Sequence, residues 1–224
     1  MRVRELTMSD GAVLHVTEHE GQGPVLVLLH DLDCSGAYWD AVVARLRVLD
    51  PSVRILVPDL RGHGASGVGE APSRKRLVKD LVQSLRALGV SEPVVCGHGW
   101  GGDIALAFDD AASVVAVNPL LGRMPAAFDA EVPRPDGMRG ARDAEVLRAS
   151  VVGATTAKPL RRGRRDAPLL LVSSQEADGE ALAGSEPLEH ATETMVFQGG
   201  SRHLPLELPN AVAALLLPWI EEAA

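Results

Sequence analysis

The stretch PVVCGHGWGGDIALAF, residues Pro93 to Phe108, decides how the chain folds. Val94, Val95 and Cys96 make a short apolar run of strand character, and Asp103 to Phe108 reads as an apolar helix. Between them stand only Gly97-His98-Gly99-Trp100-Gly101-Gly102, so the strand must turn sharply into the helix. The glycines at 97 and 101 allow that turn to pack tightly against its neighbours. The first turn of a helix carries unsatisfied N–H groups and the positive end of the dipole, and such a place stabilises negative charge.

Working outward, further apolar runs bounded by turn residues predict strands over 2–7, 12–17, 24–30, 53–59, 114–119, 169–174 and 194–199, with 93–97 as the strand before the turn. The first two flank Met8-Ser9-Asp10-Gly11, a hairpin signal, whereas the later ones are near-continuous Val/Leu runs suited to burial on both faces of a parallel sheet. Helices are predicted between them. Over 74–88, Leu77, Leu81, Leu85 and Leu88 fall on one face and Gly89 follows the end. Segments 39–48 and 208–222 fit the same role, with Pro218 expected to kink or end the second. Helical crossovers between parallel strands require an α/β layer architecture. The 224 residues suit one domain over 1–224. Residues 121–165, rich in Gly, Pro, Arg and Ala, break the rhythm; they are read as a reduced cap, the plain alternative being a surface excursion.

Composition removes several classes of function. A net charge of -8 opposes binding to phosphate backbones, and 3% aromatic residues are too few for base-stacking platforms, so no nucleic-acid partner is expected. The run RRGRR at 161–165 is read as a solvated loop. No segment has the length of a membrane span or the pattern of a signal peptide, which makes a cytoplasmic location the expectation. Cys34 and Cys96 are expected as buried thiols. No His, Cys, Asp or Glu group has metal spacing, and the GHGWGG turn is read as an elbow and not as a dinucleotide fingerprint, so neither metal nor nucleotide cofactor is expected.

Four landmarks in order resemble the α/β-hydrolase family: His30-Asp31 after a strand, PDLRGHGAS at 58–66, the strand–turn–helix at 93–108, and SRHLPLELP at 201–209. Trp100 and PDLRGHG are most similar to the epoxide hydrolase and haloalkane dehalogenase branches. The resemblance implies an α/β-hydrolase fold: a mostly parallel eight-stranded sheet with helices on both faces. It places a nucleophile, Asp in those branches and Ser in ester-cleaving ones, where this chain has Gly99. Glycine has no atom to attack with, so the family's covalent step is excluded at that position. It also relieves the strained backbone that such turns impose.

By the same resemblance His203 stands where the family has its catalytic histidine, and a near-neutral imidazole suits a general acid or base. An acid would follow the strand 169–174, where Asp178, after a one-residue shift, and Glu176 are the candidates, with Asn118 at the family's alternative position. Oxyanion-stabilising N–H groups would come from Trp100 and Leu32. Asp31 replaces the family's usual glycine; its carboxylate could repel an oxyanion or, turned inward, act as acid or base. Cys34 is the one substitute nucleophile on that loop, although an inert thiol is the simpler reading, and His63 and His98 are assigned to packing or hydrogen bonding. Two functions stand open. One is an enzyme acting on a small organic substrate without a covalent step, with the volume vacated at Gly99 admitting substrate. The other is an inactive hydrolase-like protein that binds a ligand, or an inactivated variant of an esterase or epoxide hydrolase.

Overall fold

A computed structural model describes residues 1–121, 138–141, 144–155, 166–174, 186–198 and 201–223. Its strands are β1 (Arg2–Thr7), β2 (Val13–His19), β3 (Val25–Leu29), β4 (Arg54–Pro58), β5 (Val94–His98), β6 (Ser113–Val117), β7 (Leu169–Ser174) and β8 (Glu193–Phe197). They form one eight-stranded sheet in the order β1-β2-β4-β3-β5-β6-β7-β8. β2 runs antiparallel to both β1 and β4, and every other neighbouring pair is parallel. The hairpin at the amino-terminal edge thus leads into a parallel body, as the shift from alternating to continuous apolar runs implies.

The period-2 rule divides β3 between two cores. Leu26 and Leu28 join Val42, Val43 and Leu46 of α1 (Asp40–Leu49) and Val212, Leu216 and Ile220 of α7 (Pro209–Glu221). Val27 and Leu29 face Leu77, Leu81 and Leu85 of α2 (Arg74–Ala87) and Ile104 of α3 (Trp100–Leu106). Helices on both faces cover the central parallel strands, and β5, β6 and β7 are buried along their whole length, whereas the edge strand β8 is largely exposed. α2 begins at Ser73, whose hydroxyl accepts the Arg76 N–H at 3.3 Å, and ends with Gly89 at φ +66°, where the Val90 N–H reaches back to the Leu85 carbonyl at 2.9 Å. Three short elements complete the described chain: a 3-10 turn at Gly36–Trp39, α5 (Glu186–Glu189) and α6 (Leu204–Glu207).

Pro218, expected to kink or end the helix, lies inside α7, which continues to Glu221. The missing N–H falls in the last turn, and burial of Trp219 and Ile220 against the sheet holds that turn in place. The 121–165 excursion also contains a regular element, α4 (Ala144–Thr155). Its described residues 138–141 lie on the loops after β3 and β4: the Ala141 N–H donates to Asp33 at 3.0 Å, and the Gly140 carbonyl accepts the Gly64 N–H at 3.1 Å. Arg161 to Arg165 and the remaining parts of the excursion lie outside the described residues.

Arg61, from the PDLRGHG landmark, is fully buried and holds the hairpin to α2. It donates to both oxygens of Asp80 at 2.7 Å and to Asp10, at the hairpin tip, at 2.6 Å. A buried guanidinium is tolerated only when neutralised and hydrogen-bonded. Asp80→Ala should therefore cost about 3 kcal/mol or more of unfolding free energy, measured by urea denaturation, and leave the denaturant slope unchanged.

Candidate active site

β5 delivers its carboxyl end into the turn through Gly97, and α3 leaves it at Trp100. Gly99 takes φ 55° and ψ -118°, a conformation nearly closed to residues with a Cβ. The space beside it is filled. A Cβ placed on Gly99 would overlap the carboxylate of Asp31, meeting its carbon and both oxygens. The side chain from the loop after β3 therefore stands where one from the elbow would project. The expectation that the volume at Gly99 is open to a substrate is overturned by this carboxylate.

Asp31 is 3% exposed and fully committed. One oxygen accepts the Trp100 N–H at 2.7 Å, and the other accepts the Arg202 guanidinium at 2.6 Å. Burial alone would raise its pKa, but the nearby Arg202 charge, that of His98 when protonated, and hydrogen bonds from the Trp100 and Leu32 N–H groups outweigh burial and hold it below the usual carboxylate range. Asp31 is thus turned inward and ionised, paired in place, and Trp100 and Leu32 give it the donors expected to serve a substrate oxyanion. The loop that carries it is fixed by His30, whose Nε2 accepts the Leu60 N–H at 2.9 Å and whose Nδ1 donates to the Asp31 carbonyl at 2.7 Å. Gly97, Gly99 and Gly102 do fall at the spacing of a dinucleotide fingerprint, but the Asp31 carboxylate occupies the place where a pyrophosphate would approach the turn.

Arg202 was not picked out by sequence reasoning, and its main chain is as engaged as its side chain. Its carbonyl accepts His98 Nε2 at 2.7 Å and the Asn118 amide at 2.9 Å. Asn118 completes this brace by accepting the Ser174 N–H at 2.9 Å. It orients the peptide ahead of His203, not the imidazole itself, which corrects the alternative assignment. His98 Nδ1 lies 3.9 Å from Asp31, and burial pushes that imidazole down to about 3, so it is neutral at pH 7.

His203 follows the β8 strand and precedes α6, half-buried. Among the described residues its side-chain partner is the Tyr38 hydroxyl, 3.3 Å from Nδ1. Tyr38 is fully buried, stacked on His98 at 5.1 Å, and sequence reasoning missed it too. Burial first, then the Arg202 charge, lower the His203 pKa below its ordinary value against the opposing pull of Asp31 and Glu207, leaving a neutral ring at pH 7. Asp178 and Glu176, the candidate acids, lie outside the described residues. Cys34 and Cys96 are buried thiols, and burial raises the Cys96 pKa. His63 Nδ1 donates to the Arg61 carbonyl 3.0 Å away, a packing and hydrogen-bonding position as expected. Among the described residues no group of three or more His, Cys, Asp or Glu could hold a metal, and no helix is long and apolar enough to cross a membrane.

Comparison with known proteins bears on this geometry. A family model described as "Alpha/beta hydrolase family" matches residues 26–217. The chain belongs to the α/β-hydrolase family. Bifunctional epoxide hydrolase 2 of Sus scrofa is 34% identical over 113 residues, 47% of this α/β hydrolase and 20% of that protein. The aligned stretches span less than a third of the length of the curated relatives it matches. Among solved structures, the enol-lactonase from Burkholderia xenovorans LB400 superposes with a TM-score of 0.75 at 19% identity, covering 97% of this chain and 100% of that one. The bottromycin epimerase BotH superposes with a TM-score of 0.73 at 23% identity, covering 96% and 100%. The last two likenesses establish the fold alone.

Two outcomes follow from this geometry. Gly99→Ser alone should destabilise the protein by about 2 to 4 kcal/mol, summing overpacking and backbone strain, and gain no ester cleavage; Asp31→Gly added to it should recover part of that stability, read by chemical denaturation. Acid should also destabilise the wild-type chain early. His98, His30 and His63 are all held below their ordinary pKa by burial, so the unfolded chain takes up protons first. Each should remove about 1.4 kcal/mol per pH unit as pH falls from about 6.5 toward its folded value, and the Asp31 contribution should be lost below about pH 4. Urea midpoints measured from pH 7 down to about pH 3 check this.

Proposed function

We propose that this α/β hydrolase is an enzyme acting on a small organic substrate by acid–base chemistry at His203, with no covalent intermediate at the elbow. The observation that carries the reading is the Asp31 carboxylate, seated in the nucleophile's space and bound to Trp100 N–H and Arg202. It leaves His203 as a half-buried imidazole beside His98 of the elbow strand, neutral at pH 7 and able to donate at one nitrogen and accept at the other.

Asp31 also bears on the reaction class. Ester or lactone hydrolysis passes through a tetrahedral oxyanion, and loss of a single oxyanion donor costs about 100- to 1,000-fold in rate. Here the Trp100 N–H is already taken. Proton-transfer isomerisation, elimination or cyclisation needs no such hole and suits the remaining equipment better than non-covalent hydrolysis. The similarity to epoxide hydrolases and the lactonase and epimerase folds is compatible with any of these, since fold does not fix reaction. A second reading, a ligand-binding protein without turnover, is favoured by the same occupied oxyanion donors.

The two are separated by incubating the protein in D2O with a panel of small esters, lactones, epoxides and ketones and following the mixture by NMR. Isomerised or α-deuterated product without hydrolysis is expected, reduced by about 100-fold or more in His203→Ala. Saturable ligand binding with no product supports the binding reading. A burst of released alcohol with a covalent adduct by mass spectrometry would refute both.

A further inference from the structure

We propose that Tyr38 is a positioning residue that holds His203 with its hydrogen on Nε2, so that the ring meets a substrate as a hydrogen-bond donor, the acid half of the acid–base chemistry. This specifies the direction of the chemistry proposed for His203 and rests on that reading.

Tyr38 is carried by the 3-10 turn Gly36–Trp39 and is completely enclosed. It is stacked on His98 with 19° between the rings and meets Trp39 edge-on at 5.8 Å, so the phenol has little freedom to swing. A buried hydroxyl that finds no acceptor costs about 1 to 3 kcal/mol. Among the described residues the one acceptor within reach of Tyr38 is His203 Nδ1, at 3.3 Å. The phenol keeps its proton, because burial raises its pKa far above the ordinary value. It therefore donates. A ring nitrogen that accepts carries no hydrogen, and a neutral imidazole must then bear its hydrogen on the other nitrogen.

The consequence reverses the arrangement that a carboxylate would impose. An acid at Nδ1 accepts the Nδ1 hydrogen and leaves Nε2 as a lone pair, ready to take a proton. A phenol at Nδ1 does the opposite and leaves Nε2–H facing outward as an electrophile. A neutral imidazole in that state polarises an oxygen without giving up its proton fully. The ligand class that fits is a small molecule with a neutral oxygen acceptor, a ketone, ester or lactone carbonyl or an epoxide oxygen. Among the described residues the charged groups around the ring do not compete for Nδ1. Arg202 is spent on Asp31 through its side chain, and Glu207 of α6 is bound to the Ser201 hydroxyl and N–H. His98 of β5 keeps its Nε2 on the Arg202 carbonyl.

The test is a nitrogen-15 NMR measurement of the imidazoles in the full chain without substrate, with His203 assigned by its loss in His203→Gln. An unprotonated, acceptor-type Nδ1 and a protonated Nε2 are expected. Tyr38→Phe should move the Nδ1 resonance, admit the other tautomer and raise the His203 titration midpoint by about 0.5 to 1 pH unit, the worth of one neutral hydrogen bond to the uncharged ring. A protonated Nδ1 in the wild-type chain would overturn the proposal, and that reading needs no variant to fold. A midpoint unmoved or lowered in a folded Tyr38→Phe would overturn Tyr38's part in it. An inert chain with the Nε2–H tautomer defeats the functional reading alone, and an active chain with Nδ1–H defeats this inference alone.

Discussion

The site is organised by exclusion: one small volume beside the elbow cannot hold both a side chain on residue 99 and the carboxylate of Asp31. The chain gives the volume to Asp31, and the rest follows from the charge that arrives with it. A buried carboxylate must be neutralised and hydrogen-bonded, so Arg202 and the Trp100 N–H are drawn to it. Arg202, held there by its side chain, has its carbonyl fixed by His98 and Asn118. That peptide immediately precedes His203, and the imidazole is set against Tyr38. Three letters that look unrelated along the chain, Asp31, Gly99 and Arg202, are one interaction in space.

This explains which parts were legible in the sequence. The strands and the helices α1, α2 and α7 were readable to within two residues at their ends, because each depends on a local pattern, alternation in the hairpin, continuous Val/Leu runs in the body, leucines at helical spacing in α2; α3 starts three residues before its expected position, at Trp100. Gly99 was legible as a departure from a motif. The use of its space was not, because Asp31 lies far from it along the chain and neither periodicity nor propensity encodes a contact. The signal that could have been read is volume complementarity: a carboxylate at position 31, no side chain at 99, and a cation beside His203. Tyr38 was invisible for another reason. In the sequence GAYW it reads as one more core aromatic, and only its stacking on His98 shows that its hydroxyl has a single place to go.

Pro218 and the helix within the 121–165 excursion show the opposite limit, where a local preference is not the deciding term. A proline in the final turn of a helix removes a donor whose loss is small beside the burial of Trp219 and Ile220. A stretch rich in Gly and Pro can still hold a helix such as α4 once Val146 and Ala154 have a core to face. Tertiary burial decides in both cases.

Mutual exclusion between residue 99 and the carboxylate also shapes what descendants of this protein can become. A lineage that placed an attacking side chain at 99 while keeping Asp31 would have to survive a clash, and one that lost Asp31 first would strand the Arg202 cation in a buried place. Either order passes through a destabilised intermediate. The arrangement closes the one-step road to a covalent hydrolase and leaves open the roads that alter His203 and its surroundings.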